Sequence, residues 1–207
     1  LTGEGSDELL AGYGKYPRAL FNWRAGGLYE RSVPAALRSA IGASIVGGLP
    51  GRAGHLARRS FLAMPRDAAA MFLDNFAGVP VRLQHELLEP SLVAGGRPYV
   101  ASLGYFDAGG GASGILDRLL YTDIKTYLVE LLMKQDQMSM STSIESRVPF
   151  LDHRLVEFAA RLPARFKLSG LTRKWILGEA VKGLLPKQIL TRKKMGFPVP
   201  FAQWVRG

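Results

Sequence analysis

Between residues 115 and 138, Leu116, Leu119, Leu120, Ile124, Tyr127, Leu128, Leu131 and Leu132 recur at three- and four-residue steps. A helix puts residues so spaced on one face, so the stretch predicts a long amphipathic helix that must bury that face. Alternating strand patterns are scarce elsewhere, and the rest of the chain reads as mostly helical. Short helices are expected around 18–24, 34–46, 52–63 and 66–77, punctuated by Gly-Gly pairs and prolines. A helix over 152–162 takes Asp152 as its cap and stops at Pro163; another over 172–185 starts at Thr172 and ends before Pro186. The tail "FPVPFAQWVRG" begins one more, and residues 90–114 read as a long surface connection.

Composition narrows the function. The chain has no cysteine, which excludes disulfides, cysteine-based zinc sites and a cysteine nucleophile within this stretch, and a reducing cytoplasmic compartment fits. No run of about 18 apolar residues predicts a membrane span. The net charge of +10 suggests polyanionic partners, or simply a basic, arginine-rich proteome. A basic helical module that binds nucleic acid is therefore the alternative of another class. It is disfavoured because 17 acidic residues are interspersed and the longest basic run is Arg192-Lys193-Lys194. His55, His85 and His153 are isolated and suggest no metal cluster.

Three stretches could carry chemistry. In "TGEGSDELL", Ser6 can cap a helix whose first turn holds Asp7 and Glu8, a helix that must tolerate Gly12 and Gly14 and stops or kinks at Pro17. Backbone N–H groups at such a start attract phosphate, whereas a carboxylate there repels it unless a divalent cation lies between. The pattern points to a metal–polyphosphate site with Asp7 as an oxygen ligand for Mg²⁺; a simple capped helix is the alternative. In "STSIESRVPFLD", Glu145 and Arg147 lie two apart and share a face if extended, as a local salt bridge would. In "LTRKKMGFPVP", a lysine could reach charge developing on a phosphoryl group, or the turn is merely basic and solvated. "GGGASGILD" at 109–117 imitates a phosphate loop but lacks the Lys-Ser/Thr pair and reads as a connector.

In this order the three stretches resemble the synthetase domain of glutamine-dependent asparagine synthetases. The resemblance rests on Thr2-Gly-Glu-Gly-Ser-Asp-Glu with Gly12-Tyr13, on "DQMSMSTSIESRVPFLDHRLVEFA" at 136–159 and on "LPKQILTRKKMGFPVPFAQW" at 185–204. It is weak between about 25 and 110. It implies an α/β fold of the ATP-pyrophosphatase type with a parallel sheet, of which residues 1–207 are the mostly helical C-terminal part. That part begins at the end of a central strand and lacks the phosphate loop and the glutaminase domain. It also implies ATP as co-substrate, Mg²⁺ as cofactor, and aspartate activated as an acyl-adenylate that ammonia from the glutaminase domain converts to asparagine. Residue by residue, Thr2 and Gly3 would contact the nucleotide. Glu4 matches an acid tied to the adenylate and amide formation, and Asp7 a Mg²⁺ ligand. Lys194 matches the lysine that neutralises the α-phosphoryl group, and Glu145 and Arg147 match the active-site wall. β-Lactam synthetases carry tyrosine where this chain has Glu4, which argues against that branch. Another carboxylate acceptor stays open, as does a homodimer.

Asp7 needs a partner loop to hold MgATP. Sequencing the gene upstream of Leu1 is therefore expected to show Ser-Gly-Gly-x-Asp-Ser roughly 60–130 residues earlier, the length of a few βα units, with a glutaminase domain ahead of it. A reading frame that starts near Leu1 would contradict this.

Overall fold

The computed structural model describes residues 1–48, 50–64, 66–76, 79, 84, 86–89, 91–92, 99–109, 114–192 and 200–206. They divide into two compact units, Leu1–Trp175 and Ile176–Gly207.

In the first unit, α1 (Ser6–Leu9), α2 (Lys15–Ser32), α3 (Ala35–Gly48), α4 (Gly51–Arg58), α5 (Ala68–Phe76) and α6 (Val100–Ala108) precede α7 (Ile115–Lys125) and α8 (Tyr127–Met140). A short 3₁₀ turn (Pro149–Leu151), α9 (His153–Arg161) and α10 (Ala164–Lys167) follow. Helix α7 is the hub, because α1, α2, α6 and α8 all pack on it. Its Leu116, Leu119 and Leu120 meet Tyr16 and Ala19 of α2, Phe72 of α5 and Phe106 of α6 in one core cluster. Each of the leucines and phenylalanines, fully buried, contributes about 1.5–3 kcal/mol.

The amphipathic helix expected over 115–138 is two helices. They break at Thr126, whose φ of −124° and ψ of −75° leave the helical region. Two hydroxyls turn back into the ladder here, Thr122 Oγ1 on Arg118 O at 2.9 Å and Thr126 Oγ1 on Thr122 O at 2.7 Å. Such back-bonding bends helices. Beyond the break Leu128 is buried, while Val129, Met133, Met138 and Met140 are exposed.

The shorter helices fall near their expected places, with four corrections. Pro17 does not stop a helix; it sits in the first turn of α2, where its missing N–H costs nothing. Part of the connection expected over 90–114 is helix α6, whose Phe106 is fully buried and stacks on Phe72 at 5.0 Å. Thr172 opens no helix. It belongs to a two-residue strand β2 (Thr172–Arg173) antiparallel to β1 (Leu168–Ser169), and the helix that follows, α11, is only Trp175–Ala180. Residues 1–3 form no strand, and β1–β2 is the only sheet among the described residues, so the parallel sheet of the expected fold is not among them. The cap on α9 is as expected: Asp152 Oδ1 accepts from Arg154 N at 2.9 Å.

In the second unit, α12 (Lys187–Thr191) starts after Pro186 and α13 (Phe201–Arg206) after Pro200. No helix among the described residues is long and apolar enough to cross a membrane.

Gly5 makes the turn into α1 at φ +87°, and a Cβ there would lie 2.2 Å from Leu151 Cδ2. Gly5→Ala should cost about 2–4 kcal/mol by urea unfolding, left-handed strain and overpacking together. Gly3 is the control. A Cβ on it would meet nothing within 4 Å, so alanine there should cost less than about 1 kcal/mol.

Candidate active site

Helix α1 is one turn, and loop chemistry sets its start. Ser6 does not cap it. Gly5 holds the N-cap position, and Ser6 Oγ instead donates to Gly3 O at 2.8 Å, closing the preceding turn. Asp7 then emerges partly exposed, its Oδ1 3.1 Å from Lys174 Nζ, which also donates to Ser6 Oγ at 2.8 Å.

Lys174 arrives from the β1–β2 ribbon. Its own N–H donates to Leu10 O at 3.1 Å, and its φ is +50°. The neighbouring Arg173 Nη1 donates to Gly12 O at 3.0 Å. Gly12 leaves space for the pair: a Cβ on it would lie 1.8 Å from Asp7 Oδ1 and 2.3 Å from Lys174 Cε. Sequence reasoning missed Lys174, because its bond to Ser6 spans 168 positions and no local pattern marks it.

The opening stretch of chain is tied to the segment before Pro149. Thr2 N–H donates to Arg147 O at 2.9 Å, and Gln135 Nε2 donates to Thr2 Oγ1 at 3.0 Å and also to Ser146 Oγ. Thr2, Gly3, Glu4 and Asp7 thus share one loop-and-turn, with the backbone of Arg147 beside it. The side chains of Glu145 and Arg147 pair with each other at 2.9 Å and are 67% and 70% exposed. Such a pair is worth about 0–1 kcal/mol, so the geometry gives them the local salt bridge. Lys194, with Lys193, lies outside the described residues.

Behind α1 is a buried polar cluster. Glu8 is fully buried, and its Oε1 accepts from Tyr13 OH at 2.5 Å. Lys15 Nζ lies 2.8 Å from Asp123 Oδ2, with Asp123 also fully buried and accepting from Tyr16 OH. The ammonium sits 5.2–5.4 Å from the ring centroids of Tyr13, Tyr16 and Tyr127. Burial lowers the Lys15 ammonium from its ordinary value against the pull of Asp123. Burial likewise raises the Tyr13, Tyr16 and Tyr127 phenols, reinforced in each by the Glu8 charge and in Tyr16 and Tyr127 also by Asp123, so all three stay protonated. Burial pushes the Asp123 carboxyl up to about 6, although Lys15 and Tyr16 hold it down.

Among the described residues no three His, Cys, Asp or Glu side chains gather into a metal cage. Mg²⁺ needs none: it is commonly held by one or two carboxylates with substrate phosphates completing its shell. Asp7 fits one such carboxylate, since it is partly exposed and already matched to a cation. A cavity of about 470 Å³ lies elsewhere, lined by Tyr29, Arg38, Phe61 and Arg66, and no motif residue is among its lining residues.

The asparagine synthase family model matches residues 1–207. Asparagine synthetase [glutamine-hydrolyzing] 1 of Bacillus subtilis is 30% identical over 214 residues, all of this chain and 31% of that protein. A putative asparagine synthetase [glutamine-hydrolyzing] of Mycobacterium tuberculosis is 41% identical over 90 residues, 43% of this chain and 14% of that protein. Amidase chyE of Penicillium rubens is 32% identical over 95 residues, 42% of this chain and 14% of that protein. The chain thus spans a third or less of the length of these relatives. No solved structure matches.

The raised carboxyl of Asp123 makes stability depend on pH. A group whose folded value lies above its unfolded one stabilises fully below the unfolded value, 3.8, and loses that contribution as pH rises through about 6. The loss between pH 4 and 7 should be on the order of 3 kcal/mol. Urea midpoints across that range should carry this slope, and Asp123→Asn should remove it; equal slopes in both proteins would refute the assignment.

Proposed function

The chain belongs to the asparagine synthase family, and on that premise we propose that it is the nucleotide-facing part of an ATP-dependent amide ligase of the ATP-pyrophosphatase fold. A carboxylate oxygen of the substrate attacks the α-phosphorus of ATP, giving an acyl-adenylate and pyrophosphate. Ammonia attacks the acyl carbon, AMP leaves and a proton is shed. Aspartate is the proposed substrate and asparagine the product, with ammonia supplied by a glutaminase domain and the reaction placed in the cytoplasm.

The observation that carries this reading is the presentation of Asp7. A one-turn helix, entered through the positive φ of Gly5, offers a partly exposed carboxylate beside a lysine. Asp7 would hold Mg²⁺, which when bound offsets the negative charge of the phosphates. Lys174, released from Asp7, would supply a cation to the same polyphosphate. Thr2 and Gly3 sit on the rim where a backbone approaches a nucleotide. Glu4, half-buried on that rim, would orient the substrate or take the proton shed by ammonia. By resemblance Lys194 stabilises charge building on the α-phosphoryl group and the leaving pyrophosphate.

A second acceptor is the alternative reading. A stretch of 95 residues matches a relative named an amidase, so a different carboxylate could take the place of aspartate. Exchange of pyrophosphate into ATP by the intact protein, tested with aspartate and then with other acids, decides between them.

The same assay tests Lys194. Lys194→Ala should lower adenylate formation by roughly 10²-fold or more, the usual loss for one such donor, with a smaller change in ATP binding. Lys194→Arg should also lose activity, since a planar fork replaces a compact ammonium. Lys193→Ala should change little. Equal losses at 193 and 194, or a loss confined to ATP affinity, would make the loop a simple basic turn.

A further inference from the structure

We propose that Glu8 is a positioning residue: its buried carboxylate, held by Tyr13, fixes the angle of α1 and so aims Asp7. The proposal rests on the reading of Asp7 as a metal–nucleotide ligand, and it names what holds that ligand in place.

A four-residue helix is about 6 Å long and has no orientation of its own. Its neighbours must supply one. Leu9 and Leu10 are buried and give α1 attraction to the core, but apolar contact is non-directional and lets a single turn roll. Glu8 is different. It is fully enclosed, and one oxygen takes a short, directional bond from Tyr13 OH. The Tyr13 ring is itself pinned, 5.9 Å from Tyr16 and 5.8 Å, edge-on, from Tyr127, with the Lys15 ammonium 5.2 Å from its centroid. Lys15 is anchored on Asp123 of α7. An unbroken chain of contacts therefore runs from the hub helix to Glu8.

Stability does not explain this carboxylate. Burying a charge is costly, and an apolar residue of similar volume often serves the fold as well or better. The second oxygen, Oε2, is buried and has no hydrogen-bond partner among the described residues. Direction is what the carboxylate offers. Successive residues on a helix diverge by about 100°, so pinning Glu8 inward turns Asp7 outward to Lys174.

Four variants test this: Tyr13→Phe, Glu8→Leu, Glu8→Gln and, as a packing control, Leu119→Val. Three measurements are made: amide hydrogen exchange over residues 5–12 without ligand, the urea unfolding midpoint, and the Mg²⁺ dependence of ATP binding by calorimetry, all on the intact protein. Tyr13→Phe and Glu8→Leu should each speed exchange over 5–12 and raise the Mg²⁺ midpoint by about tenfold, the loss of one hydrogen bond to a charged group. Glu8→Gln keeps an acceptor for Tyr13 and should restore most of both. Leu119→Val should lower the unfolding midpoint and leave the Mg²⁺ midpoint in place. Unchanged exchange over 5–12, a Mg²⁺ midpoint that stays put while exchange rises, or Glu8→Gln as impaired as Glu8→Leu overturns the proposal. Should Glu8→Leu fail to fold, Tyr13→Phe and Glu8→Gln decide. If the unaltered protein shows no Mg²⁺-dependent ATP binding, the functional reading fails separately, and exchange over 5–12 judges the role of Glu8.

Discussion

Lys15 and Asp123 are 108 positions apart and meet in the interior at 2.8 Å. That ion pair joins the start of α2 to the end of α7, and much of the first unit is arranged around the join. Taking both groups out of water is costly, and their attraction offsets that cost only in part. The surroundings show how the charge is tolerated. Tyr16 donates a second hydrogen bond to Asp123, and three aromatic faces surround the ammonium. Tyr13 then extends the network to Glu8. A polar interior of this kind gives a unique arrangement where leucines alone would allow several.

The candidate site is built on the outer side of the same device. Asp7 and Glu8 are adjacent in sequence yet serve different faces of α1, one toward Lys174 and the other toward Tyr13. The polar interior and the candidate ligand face are thus two surfaces of one helical turn. Catalytic groups of this type must be held within a fraction of an ångström of their working geometry. A turn braced from behind meets that demand better than a loop held only at its ends.

Much of this is legible in the sequence, and the limits have physical causes. Three- and four-residue spacing reveals the α7 face, because periodicity survives any tertiary context. It does not reveal the break at Thr126, which depends on hydroxyls turning back onto the backbone. Pro17 reads as a stop because proline is disallowed inside a helix but welcome in its first turn, and locating that turn needs the fold. Helix α6 is hidden by glycines on both sides, and what stabilises it, Phe106 on Phe72, is a long-range contact. The acids of the "GEGSDE" stretch are visible as ligand candidates. Lys174 is not, because only the β1–β2 ribbon carries it to Asp7. Glu8, in turn, looks like one more first-turn acid, and burial alone sets it apart from Asp7.

Gly12 has a consequence for how such a site can change over generations. The side chains of Asp7 and Lys174 already occupy the volume that a Cβ at position 12 would fill. Substitutions at these three positions are therefore epistatic: residues sharing one space do not contribute independently. Any bulk at 12 is accessible only after 7 or 174 has been shortened, which removes the carboxylate or the ammonium first. The order of mutational steps is thereby constrained, and drift toward a new specificity finds an easier path in parts of the chain that do not share this volume.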